Sequence, residues 1–217
     1  LHTDHHNGVY SFINRRRKAY EQLNKPIEKL FLLAPSNLFR FFKSIDELCL
    51  NSSDPNGLFL NDINLIDNDW LSNDVSKNDK SFLKNQKLIN KLKNLLSLQL
   101  IKTIPVIHVS KSTGLIFTLM NNHDSKSFKL VYSGDCAPTA DLIKYGMSCD
   151  LLIHEATFDD KNEANAEYLR HSTVSQAICV GKKMKAKEIC LTHFNMHLSV
   201  MSDSLFNNND VIIASDN

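Results

Sequence analysis

His2-Thr3-Asp4-His5-His6-Asn7-Gly8 opens the chain. His2, Asp4 and His5 put three potential metal ligands within four positions. Further ligand-type residues follow short apolar runs elsewhere. His108 ends Ile104-Pro105-Val106-Ile107-His108, Asp135 follows Tyr132-Ser133-Gly134, and His193 ends Ile189-Cys190-Leu191-Thr192-His193. Each run reads as a strand, so four separate segments deliver a His or Asp at an element's end. A layered α/β fold gathers ligands at one rim in this way. Imidazole and carboxylate donors without thiolate favour zinc or a similar divalent cation with positions open to water. An Asp shared by two such ions suits in-line attack on a phosphodiester, because attacking and leaving oxygens are both stabilised. Taken singly, a strand-end His is more often a core or surface residue, and an Asp after Gly is commonly a turn residue. The ligand reading gains weight because all these ordinary readings would have to hold at once. His6 duplicates a ligand already placed and His123 sits in a polar stretch, so neither is assigned a role.

Outward from these segments the pattern is mixed. Helices are expected over 9–23, 36–42, 81–98, 139–145 and 173–184, the last behind the capping-box pattern Thr173-x-x-Gln176. Strands are expected over 29–34, 103–109, 114–120, 127–132, 150–154 and 187–193. Strands alternating with helices, with hairpins between, indicate a layered α/β architecture. Residues 51–80 shift to Asn, Asp and Ser with small apolar islands, and read as a loosely ordered insertion.

Bulk composition adds limits. The chain has 217 residues, 42% hydrophobic and 23% charged, which is ordinary for a globular domain with a real core. The net charge of +1 does not by itself indicate nucleic acid, and the run Arg15-Arg16-Arg17-Lys18 reads as a solvated helix face. Five cysteines without CxxC pairing suit reduced thiols in an intracellular protein. No apolar run approaches the length of a membrane span, so no membrane partner is expected. The chain lacks an initiator Met and begins inside a motif, which is expected of a piece of a longer protein.

Two more segments carry chemistry. Leu152-Ile153-His154-Glu155-Ala156-Thr157 follows a strand, and His171-Ser172-Thr173 opens a helix. The helix dipole disfavours a charged His171, and a carboxylate such as Glu155 would restore it. A His–Glu pair beside a metal site can act as a general acid, with the Glu holding the imidazole's orientation.

His-x-Asp-His-His-x-Gly, Tyr-Ser-Gly-Asp135, His154-Glu155-Ala-Thr, His171-Ser-Thr and Thr-His193-Phe, in this order, resemble the tRNase Z family. The first motif marks only the metallo-β-lactamase superfamily; the two motifs around Glu155 and His171 are more specific. The resemblance implies an αββα metallo-β-lactamase fold spanning residues 1–217 and lacking its N-terminal part. It implies two zinc ions, with His2 and His108 on one, Asp4, His5 and His193 on the other, and Asp135 bridging. Asp4 would be the general base, His171 supported by Glu155 the general acid, and His154 a further catalytic residue. The implied activity is removal of the 3′ trailer from precursor tRNA. Only 26 residues separate His108 from Asp135, which leaves no room for the tRNA-gripping arm of the family's short form. The chain therefore resembles the C-terminal half of the long form, which acts in nucleus, mitochondrion or both. Its expected partners are precursor tRNA and the N-terminal half, and it is expected to be inactive alone.

Several positions depart from the family pattern. A first motif His would fall before Leu1, Cys136 stands where Thr is usual, and Ser112 lies where Ala is usual. Asn195-Met196-His197-Leu198 occupies a stretch that usually carries Arg. Competing readings are another hydrolase of the same fold, such as a glyoxalase II-like thioesterase or a lactonase, or a non-catalytic scaffold.

Overall fold

The computed structural model describes residue 2 and residues 5–50, 63–67, 71, 80–120, 126–195 and 211–214. The chain divides into two compact units, Leu1–Leu92 and Lys93–Asn217.

In the first unit, α1 (Asn7–Gln22) leads to β1 (Leu30–Ala34), α2 (Ser36–Leu50) and β2 (Ile63–Asp67). The helix α3 (Lys80–Leu95) follows and spans the division. Leu38, Phe42 and Ile45 recur at helical spacing on α2 and pack with Ile13 of α1 and with Ala34 and Ile63 of the strands. That stripe carries α2 well past Phe42, where the sequence reading stopped. Residues 63–67, read as part of the insertion, instead pair in parallel with β1 from Leu30↔Ile63 to Ala34↔Asp67. Residues 51–62, 68–70 and 72–79 of the expected insertion lie outside the described residues. The basic run falls on α1, with Arg15 and Lys18 exposed and Arg16 over the Tyr20 ring.

The second unit is built on a six-stranded sheet. Its strands are β3 (Leu98–Pro105), β4 (Thr113–Met120), β5 (Ser127–Tyr132), β6 (Leu151–Glu155), β7 (Glu188–Thr192) and β8 (Val211–Ile213), in sequential spatial order. β3, β4 and β5 are antiparallel neighbours, and β5 to β8 are parallel. The parallel pairs β5–β6 and β6–β7 need crossovers, which the helices α4 (Ala140–Gly146), α5 (Glu163–Leu169) and α6 (Val174–Met184) supply. Leu142 of α4 and Ala177, Ile178, Val180 and Met184 of α6 form one core with Val131, Leu152, Ile189 and Leu191 of the sheet. At Gly181 a Cβ would lie 2.4 Å from Ile189 Cδ1, so the missing side chain lets α6 approach the sheet closely.

Two boundaries bear on the site. β3 begins at Leu98 and stops at Pro105, so His108 does not end a strand as expected but lies in the turn beyond it, next to an isolated Ile107↔Ala137 bridge. His193 lies one residue past β7 with φ of 60°. The expected capping box is formed: Thr173 Oγ1 accepts from the Gln176 N–H, and the Gln176 side chain accepts from the Thr173 N–H. Thr173→Ala is expected to lower stability by about 1 kcal/mol, measured by denaturant unfolding; an unchanged midpoint would show that tertiary packing alone fixes this helix start.

Candidate active site

The ends of the parallel strands bring the second unit's candidate residues together. After β5 the chain turns through Gly134, whose φ is 61° and where a Cβ would stand 3.0 Å from the Thr113 carbonyl oxygen. Glycine is required there on both counts. The turn delivers Asp135, which is buried. Asp135 Oδ2 is 3.8 Å from His108 Nε2, and Oδ1 is 3.7 Å from His193 Nε2. Both separations are too long for hydrogen bonds. They are comparable to the roughly 3.3 Å between two ligands of one tetrahedral zinc with bonds of about 2 Å. Each oxygen of one carboxylate thus faces a different imidazole, and this donor set fits cations shared through Asp135.

Glu155 is 1% exposed at the end of β6. Its Oε1 accepts from the Cys136 N–H at 2.8 Å and from His171 Nδ1–H at 2.7 Å. Its Oε2 accepts from the Thr157 N–H at 3.1 Å, the Thr157 hydroxyl at 2.7 Å and the Ser172 N–H at 3.2 Å. Burial pushes this carboxyl up, but the hydrogen bonds from His171, Thr157 and Cys136 outweigh it and hold the group below its ordinary value. Glu155, His171 and His193 also lie close enough to form a metal-type cluster. Both Glu155 oxygens are already committed to donors, however, so we read this group as a proton-handling network.

The hydroxyl of Thr157 gives its only proton to Glu155, so its oxygen accepts from His193 Nδ1–H at 2.8 Å. That fixes the tautomer of His193 and leaves Nε2 toward Asp135. The His171 ring stacks on that of His193, with centroids 5.8 Å apart, and lies 4.6 Å from that of His108. His171 donates through Nδ1 to a carboxylate, so Nε2 is the nitrogen from which a proton can leave.

His154 differs from its neighbours. It is fully buried and shares a face of β6 with Leu152, opposite Ile153. Among the described residues its side chain makes one hydrogen bond, from Nδ1 to the Glu155 carbonyl oxygen at 2.7 Å. Desolvation depresses its pKa against opposing contributions from Glu155, so the ring is neutral. Expected as catalytic, it touches Glu155 through this backbone bond. Cys136 is buried too; burial, then Glu155 and Asp135, push its thiol far up, so it stays protonated.

In the first unit, His2 and His5 are neighbours just ahead of α1, with ring centroids 6.4 Å apart, and both are exposed. His6 is buried, with its ring against those of Phe41 and Phe42. Asp4, His123 and His197 lie outside the described residues. Cys136, Cys149, Cys179 and Cys190 are free thiols, as expected. Sequence reasoning missed the role of Thr157, although its motif was in view. It also missed Arg170, whose Nη1 donates to the His108 carbonyl oxygen at 2.7 Å.

No protein-family model matches the chain. Among curated relatives, "Zinc phosphodiesterase ELAC protein 2" of Homo sapiens is 33% identical over 195 residues, covering 90% of this chain and 22% of the relative. "Ribonuclease Z, mitochondrial" of Drosophila melanogaster matches at the same identity and coverage. The chain thus spans about a fifth of the length of these relatives. The solved long-form RNase Z from yeast superposes with a TM-score of 0.81 at 27% identity, covering 100% of this chain and 30% of that one. The metallo-β-lactamase fold protein YhfI from Bacillus subtilis gives 0.59 at 15% identity, over 99% of this chain and 72% of that one. The fold is the metallo-β-lactamase fold, and the resemblance to tRNase Z read from the motifs holds over nine tenths of the chain.

Glu155→Gln places an amide among donors and is expected to cost about 3 kcal/mol. Because the folded Glu155 value is depressed, its stabilisation is present above the ordinary carboxylate range and is lost as pH falls through the folded value. The variant should therefore show a flatter decline in stability toward acid, measured by unfolding at several pH values; a profile parallel to the native one would remove Glu155 from this role.

Proposed function

We propose that this chain is the catalytic part of a zinc-dependent endoribonuclease that removes the 3′ trailer of precursor tRNA, leaving a 3′-hydroxyl. The observation that carries the reading is the approach of His108 and His193 to opposite oxygens of Asp135, beside a Glu155–His171 pair. The relatives' names, zinc phosphodiesterase and ribonuclease Z, support the same chemistry.

In this reading His2 and His108 would hold one ion, Asp4, His5 and His193 would hold a second, and Asp135 would serve both. When bound, the ions supply Lewis acidity that activates water and neutralises charge on the phosphodiester. Asp4 accepts a proton from the attacking water. Glu155 keeps a proton on His171 Nδ1, and His171 Nε2–H protonates the departing 3′ oxygen of the tRNA. Thr157 holds the His193 ring in register with this network. The substrate would be gripped largely by an N-terminal half of the same protein, which accounts for a catalytic part of near-zero net charge. The relative named mitochondrial supports a place inside the cell, in mitochondrion, nucleus or both.

The test uses the protein with its N-terminal half joined, zinc added, and precursor tRNA offered beside a thioester. Release of the trailer is the expected outcome; cleavage of the thioester alone would sink the nuclease reading. His171→Ala should slow cleavage about 10²–10⁴-fold with metal content unchanged, and loss of metal would instead make it a ligand. Asp135→Ala should strip metal from both positions; full occupancy by elemental analysis would show that it is no bridge.

A further inference from the structure

His108 carries an orientation problem. It lies in the turn between β3 and β4, outside any strand ladder. The flanking Ile107 and Val109 are 53% and 40% exposed, so burial of its neighbours does not anchor it. Residue 170 makes two contacts with it. His108 Nδ1 lies 3.0 Å from the Arg170 carbonyl oxygen. A carbonyl only accepts, so Nδ1 carries the proton and Nε2 keeps its lone pair, on the side where Asp135 lies. Arg170 Nη1 returns a second hydrogen bond to the His108 carbonyl oxygen at 2.7 Å. Two bonds of opposite sense thus join positions 62 residues apart in the chain.

We propose that Arg170 is a positioning residue that sets the tautomer and placement of His108. This rests on the reading of His108 as a metal ligand. Arg170 ends α5 in the left-handed conformation, φ 59° and ψ 47°. That conformation aims its carbonyl at the imidazole. It also favours Gly or Asn over a long side chain, so the arginine sits there at a local cost. The next residue is His171, whose ring lies against that of His108. One clasp therefore sets a ligand and the candidate general acid together. Nothing in the motif pattern points to position 170, because the clasp runs half through backbone atoms.

Arg170→Gly keeps the left-handed backbone and its carbonyl but removes the guanidinium; Arg170→Lys can still donate to the His108 carbonyl. Calorimetric titration with Zn2+ alone should show binding weakened about tenfold in R170G and largely recovered in R170K. The melting temperature of R170G should be unchanged or higher, since glycine suits the conformation. Long-range 1H–15N spectra should show a single Nδ1–H tautomer for His108 in the native protein and a mixture in R170G. Native-like Zn2+ binding by R170G, equal weakness of R170G and R170K, or an affinity loss that tracks a fall in melting temperature would each overturn the proposal. A native protein that shows the tautomer difference but takes up no Zn2+ keeps the clasp and removes the ligand reading instead.

Discussion

A buried carboxylate holds the second unit's site in one piece. Moving Glu155 out of water costs several kcal/mol, and the structure meets that cost with donors from three segments. Cys136 comes from the turn after β5, Thr157 from the end of β6, and Ser172 and His171 from the approach to α6. Through the Thr157 hydroxyl the same network reaches His193 beyond β7. A parallel bridge between Phe158 and Thr173 also joins two of these segments, and the carboxylate adds side-chain bonds that tie in the third. Open parallel sheets present their strands' carboxyl ends as a crevice; here that crevice is pinned from within by one anion.

The three imidazoles around Asp135 are used differently, and their Nδ1 partners explain how. His108 donates to a neutral carbonyl, His193 to a neutral hydroxyl, and His171 to a carboxylate. All three therefore turn Nε2 away from the partner that fixes them. A neutral acceptor on Nδ1 leaves the Nε2 lone pair free to be offered to a cation. A full negative charge at 2.7 Å favours the protonated ring, suited to giving a proton away. The proposed roles agree with what stands behind each ring.

Much of this was legible in the sequence, and the misses have causes. Strands β5, β6 and β7 and helix α6 lie within a residue or so of their expected bounds, because unbroken apolar runs or a capping box mark them. β3 was read five residues late, since a register irregularity between Leu98 and Leu100 breaks the alternation that announces a strand. α5 passed unread because Ala166 is its one buried residue and it shows no apolar period. β2 is an island in polar sequence whose strand character depends on β1, some thirty residues away. At the site, ligand-type residues could be named from their chemistry. Thr157 and Arg170 could not, because a hydroxyl and a left-handed arginine acquire their roles only through neighbours distant in sequence.

His154 shows how far the site's demands reach into the core. Its Nε2 is buried without a hydrogen-bond partner among the described residues, which costs on the order of 1–3 kcal/mol. A leucine in that position would avoid the cost. What a leucine could not do is donate to the Glu155 carbonyl oxygen. That bond lies at the peptide where β6 ends and the chain turns toward Thr157. The pleat then completes the division of labour, sending residue 154 to the face packed by α6 and residue 155 to the opposite side. A histidine on the core face and a glutamate on the site face are therefore one device, and the unsatisfied nitrogen is the part of it that the packing tolerates.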